Sequence, residues 1–167
     1  MKIKFNQSHS LSEKDQATIV FMAEALELQK REYFVNNIKM DKKMLFLDMN
    51  KNGFGAELSF CRMSNLPFDD STKEEENHFR KPDCILPNGW SVDVKNTTYT
   101  SGSLITWIGK EVAGANIYVL MVGSFPTFTF KGWATSEMLI KKENIKNVGH
   151  GDGYWLSQKE LIKDLEF

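Results

Sequence analysis

Lys81-Pro-Asp-Cys-Ile-Leu-Pro-Asn-Gly-Trp-Ser-Val-Asp-Val-Lys95 reads as a β-hairpin, and the remaining elements arrange themselves around it. Extended residues flank Pro87-Asn88-Gly89. Proline suits the first central position of a type I turn, asparagine the next, and glycine the left-handed position after them. That predicts a three-residue loop with a glycine bulge, Leu86 opposite Trp90 and Asp83 opposite Asp93. Strand side chains alternate faces, so Asp93 and Lys95 share one face while Val92 and Val94 enter the core. In the rival register Asn88-Gly89 alone forms a two-residue type I′ turn. Asp83 then lies opposite Val94 and the carboxylates face apart.

In the first register two carboxylates and a lysine converge on one side of the hairpin. Each carboxylate raises the pKa of the other, and a hard divalent cation with oxygen ligands relieves that cost. A cation polarises a phosphoryl oxygen and acidifies bound water, and an ammonium stabilises growing negative charge. Those are the requirements of phosphodiester hydrolysis. A surface hairpin with scattered charges is the bland alternative.

Pro82-Asp83, nine residues, then Asp93-Val94-Lys95 resembles the signature of the PD-(D/E)xK nuclease superfamily. Upstream, Gly53-Phe-Gly-Ala-Glu57-Leu-Ser-Phe-Cys61 resembles the helix that carries this family's additional glutamate, in the right order. The resemblance runs well over about 51–122 and loosely beyond. It implies an α/β fold, a restriction-endonuclease-like sandwich with a central mixed β-sheet flanked by helices, and one domain over 1–167. It implies a Mg²⁺- or Mn²⁺-dependent nuclease. Asp83 and Asp93 would ligate the metal with help from the Val94 carbonyl, and Glu57 would bind a second metal or a metal-bound water. Lys95 would position or activate the attacking water. DNA is the expected substrate, with RNA left open. The stretch after Tyr118, with Gly132-Trp133 and Tyr154-Trp155, is similar to small stand-alone members from phages and bacteria. Two readings of other kinds compete: a nucleic-acid-binding or assembly module that keeps this fold without turnover, and an enzyme acting on another phosphate ester in a closed pocket.

The 167 residues are enough for one domain with a real core. Apolar residues make up 41% and charged residues 26%, as in ordinary globular proteins. The net charge of −1 does not advertise a basic nucleic-acid groove. Two cysteines, Cys61 and Cys84, without metal spacing fit a reducing cytoplasm, that of the host if the chain is phage-encoded. His9, His78 and His150 are too dispersed for a zinc site. No run is long enough to cross a membrane, and no signal-peptide core is visible at the N-terminus. A monomer and a homodimer are both compatible with the sequence.

Along the chain, alternation over 1–5 predicts a short edge strand. Ser10-Leu-Ser-Glu13 predicts a capping box opening a helix over 13–35, with Ile19, Met22, Ala23, Leu26 and Tyr33 or Phe34 as its apolar stripe and Asn36-Asn37 ending it. The run 44–47 is a strand or a buried connector. A second helix is expected over 50–65, capped by Asn52, with glycines near its start permitting close approach. Phe54, Leu58 and Cys61 form its stripe, and Glu57 lies at the stripe's edge. Residues 69–78, with acidic Lys73-Glu-Glu-Glu76, read as a solvated loop, and Arg80 with Lys81 as a basic pair able to meet phosphate. Past Lys95, 96–100 continues the strand or starts a polar loop, with Thr97 and Thr98 within reach of substrate. Strands follow at 104–108, 117–122 (buried on both faces) and 127–134, with Trp107 assigned to the core. Residues 110–114 read as a turn, 136–142 as a short helix and 149–153 as a loop. Residues 154–156 form the last strand. A second capping box, Ser157-Gln-Lys-Glu160, predicts a C-terminal helix over 158–165.

Overall fold

The computed structural model describes residues 1–33, 40–70, 81–109, 115–148 and 151–167. The expected helix end at Asn36-Asn37, the acidic run 73–76, Arg80, the turn 110–114 and His150 lie outside the described residues, as do the side chains of 29–45. In chain order the elements are β1 (Lys2–Ile3), β2 (Ser8–Ser10), α1 (Glu13–Tyr33), α2 (Met40–Met63), β3 (Cys84–Ile85), β4 (Ser91–Thr97), β5 (Leu104–Trp107), β6 (Ile117–Ser124), β7 (Thr127–Thr135), α3 (Ser136–Leu139), a 3₁₀ turn (Lys142–Asn144), β8 (Ile145–Asn147), β9 (Asp152–Leu156) and β10 (Leu165–Glu166).

The fold is mixed α/β. Its main sheet has the order β2-β7-β6-β4-β3, with β4 and β6 parallel and the other pairs antiparallel. A second sheet has the order β5-β9-β8, and β1 pairs with β10. The parallel pair is fixed at its start by Asn116, whose Oδ1 accepts from Ser91 N at 2.8 Å while its own N–H donates to Ser91 O at 3.0 Å. β6 is central and apolar on both sides, as its unbroken Ile117–Val122 run requires.

Each face of the main sheet buries a separate cluster. Val92, Val94, Ile117, Val119, Met121, Phe128 and Phe130 meet Leu58, Phe60 and Cys61 of α2, with Ile19 and Met22 of α1 behind them. Gly55 lets α2 approach this closely, since a Cβ there would sit 2.8 Å from the Phe128 ring. The opposite face, with Tyr118, Leu120 and Val122, packs on Leu104, Leu139, Leu156 and Leu161. Helices α1 and α2 therefore cover one face, while α3 and the three-stranded sheet cover the other.

Several local expectations are corrected. The first helix is capped by Ser12, not Ser10: Ser12 Oγ accepts from Asp15 N at 3.2 Å, and Ser10 belongs to β2, bonded to Thr127. Residues 44–47 are helical, because Met and Leu are strong helix formers and no breaker separates them from Asn50. Asn52 is thus inside α2, where its Oδ1 accepts from Phe125 N at 2.8 Å. The second capping box forms its local bonds, Ser157 N to Glu160 Oε2 at 2.9 Å, yet no helix follows. The chain there is claimed by strand partners: Ile162 bridges to Trp133, and Leu165 pairs with Ile3. The strand containing Tyr154 is consequently not the last, and it begins at Asp152, inside the stretch expected to be loop.

Candidate active site

The hairpin has the three-residue register. Cys84 pairs with Val92 and Ile85 with Ser91, Leu86 N donates to Trp90 O at 2.8 Å, and Gly89 has φ +87°. The same register sets Asp83 across from Asp93, with Asp83 N donating to Val92 O at 2.9 Å.

The strand β3 begins only at Cys84, so the Val94 amide of β4 lies beyond the ladder. Asp83 takes it: Val94 N donates to Asp83 Oδ2 at 2.6 Å. That bond fixes the Asp83 carboxylate at the sheet edge. Two residues apart on β4, Asp93 and Lys95 form an ion pair, with Nζ 2.7 Å from Oδ1. Asp93 is 2% exposed, so its charge depends on near partners rather than on water.

Glu57 projects from α2 and is half-buried. Burial, then the charges of Asp83 and Asp93, push its carboxyl well above the usual glutamate range, and Lys95 opposes that shift. All four expected residues therefore share one electrostatic neighbourhood. They are not drawn into a ligand cage: among the described residues no three His, Cys, Asp or Glu side chains are gathered at metal-binding spacing. Lys95 holds one oxygen of Asp93, and the Val94 amide holds one of Asp83. Carboxylate oxygens are the donor type a hard divalent cation takes, but here they are not gathered around one point. Val94 enters the site through its N–H.

No family model, curated protein or solved structure matches this chain.

Behind the acidic group, Cys61 and Cys84 are buried free thiols. A hydrogen bond between them and burial raise the Cys84 thiol far above its ordinary range, so neither a metal thiolate nor a nucleophile is favoured there.

Beyond Lys95, β4 runs into a cleft of about 370 Å³ lined by Lys95, Asn96, Thr97, Tyr99, Thr106, Trp107 and Trp155 among others. Thr97, expected near substrate, lines it. Trp107 is half-buried and belongs to neither core cluster, contrary to its core assignment; its alternate neighbours Leu104 and Thr106 are the buried side of β5. Tyr99, Thr106 and Trp155 were not singled out as binding residues by the sequence. The available signal was the half-buried alternation of β5, which follows the strand that carries Lys95.

Proposed function

We propose that this chain is a metal-dependent phosphodiesterase acting on nucleic acid, DNA foremost, on a restriction-endonuclease-like scaffold. The observation that supports it most is the buried Asp93 held by Lys95 on one strand, with Asp83 across the hairpin and Glu57 in the same field. Glu57, Asp83, Asp93 and the Val94 carbonyl are the groups that would hold Mg²⁺ or Mn²⁺. When bound, such an ion supplies charge neutralisation at the phosphoryl oxygen and an acidified water.

The chain's own groups do the rest. Asp93 orients the Lys95 ammonium through their 2.7 Å contact. Lys95, as the ammonium, would meet the negative charge that grows on the phosphoryl oxygens. Asp83 is kept from rotating by the Val94 amide. The two free, buried cysteines support a reducing compartment such as the cytoplasm. Among the described residues no helix is long and apolar enough to cross a membrane.

A second reading, a binding module without turnover, is favoured by one observation: the carboxylates are engaged by Lys95 and Val94 rather than gathered around a common point. Cleavage of single-stranded, duplex and branched DNA and of RNA with Mg²⁺ or Mn²⁺ separates the two. Metal-dependent cleavage lost in Asp93→Asn supports the enzyme. Binding without cleavage of any substrate overturns it in favour of the module.

A further inference from the structure

The cleft beside Lys95 has a composition that the hydrolytic site does not need. It lies between the end of β4 and the second sheet, the crevice position that ligands favour at the carboxyl ends of parallel strands. Its walls are aromatic: Trp107 from β5 and Trp155 from β9. These two sit on the same side of the sheet, because Ile105 pairs with Trp155 and Trp107 with Gly153. Opposite Trp107 stands Gly153. A Cβ on Gly153 would press against Thr106 O at 3.1 Å.

Two further features shape this site. Tyr99, 77% exposed, is held out on a fixed turn: Gly102 N donates to Tyr99 O at 2.8 Å, and Gln158 Nε2 donates to Thr100 O at 2.9 Å and Gly102 O at 2.8 Å. Gly102 is required for this turn, since a Cβ would meet Thr97 Cγ2 at 2.4 Å. Lys146 lies 3.5 Å over the Trp155 ring, so one face of that ring already carries a cation.

We propose that this cleft binds one unstacked nucleobase of a single-stranded segment, leaving the adjoining phosphate against Lys95. The cleft is at the small end of ligand sites, about 300–1,000 Å³, so it takes a nucleotide-sized group and no duplex. Flat aromatic walls suit base stacking, the Asn96 and Thr97 polar groups suit a base edge, and Lys95 suits the backbone. The phosphate placement rests on the nuclease reading; the stacking does not.

The test is tryptophan fluorescence of the whole protein titrated with a short oligodeoxythymidylate in EDTA, where no cleavage occurs, against the same sequence as duplex. The single strand is expected to quench and to bind more tightly than the duplex. Tyr99→Ala, an exposed position that the fold tolerates, and Trp155→Leu should each weaken binding by at least about fivefold, the lower bound for one stacked base. Equal binding of duplex, equal quenching by a neutral oligosaccharide, or unchanged binding in both Tyr99→Ala and Trp155→Leu overturns the proposal. Stacking that persists in a wild type that cleaves nothing leaves the cleft standing and removes the nuclease. Cleavage that needs Lys95 while both aromatic variants bind and cleave as wild type does the reverse.

Discussion

Lys95 Nζ lies 2.7 Å from Asp93 Oδ1, and the aspartate that it neutralises is almost fully buried. The side chains are 20% and 3% exposed, so the pair is shielded from water far more on the acid's side than on the lysine's. The lysine is thus structural and, on the proposed reading, catalytic at once, and the two roles can be told apart.

Lys95→Ala should destabilise the protein by roughly 3 kcal/mol, because it leaves a buried carboxylate without its cation. If Mg²⁺ binds among Glu57, Asp83 and Asp93, adding it should recover part of that loss, and recover more in the variant than in the wild type. Urea titrations with and without Mg²⁺ measure both. On a cleavable substrate the variant, with metal present, should lose about a hundredfold in rate, the scale of one lost electrostatic stabiliser. Full cleavage by folded Lys95→Ala would remove the hairpin from the chemistry.

Gly89 sits at φ +87° with open space around its Cα, so a side chain there meets a backbone penalty and no clash. Gly89→Ala should cost about 1–2 kcal/mol, and Gly89→Asn less, since asparagine tolerates the left-handed region. Equal stability of Gly89→Ala and wild type in urea would contradict the three-residue turn.

Arg62 Nη2 lies 2.7 Å from Asp15 Oδ1 and joins α2 to the first turn of α1. The Arg62 hydrogen bond, assisted by Ser12, holds the Asp15 carboxyl below its ordinary range. A depressed folded pKa means that the native state binds fewer protons, so this stability is present above the usual aspartate value and is lost as pH falls through the folded one. Asp15→Asn should therefore be less stable than wild type by about 1–3 kcal/mol at neutral pH, with the gap closing in acid. A gap independent of pH would mean that packing rather than charge is lost.

Cys61 and Cys84 are buried, and Cys84 is kept as the thiol. Native protein should react with a thiol-specific disulfide reagent orders of magnitude more slowly than unfolded protein. Fast reaction under native conditions would place these thiols at the surface.

The hairpin was legible in the sequence because its determinants are local. Pro87-Asn88-Gly89 marks a turn but admits two registers, and the observed pairing of Cys84 with Val92 is the one that sets Asp83 against Asp93. The apolar run 117–122 and the stripe of Ile19, Met22 and Ala23 were legible for the same reason: periodicity records which face is buried. The Ser157–Glu160 box shows where local reading fails. Its hydrogen bonds form, yet distant strands at Ile3 and Trp133 take the following residues, and no short-range rule contains those partners. Alternation likewise marks Trp107 as facing away from Leu104, but it cannot say whether that side meets core or cleft. Only tertiary packing decided that Trp107, Trp155 and Tyr99 gather beside Lys95, because their proximity depends on how β9 returns to β5 across about fifty residues of chain. Tertiary packing also decided what the acidic residues do at rest. The sequence by itself put Asp83, Asp93 and Lys95 on one hairpin. That Lys95 folds back onto Asp93 while Asp83 caps the Val94 amide follows from where β3 begins and how deeply β4 is buried.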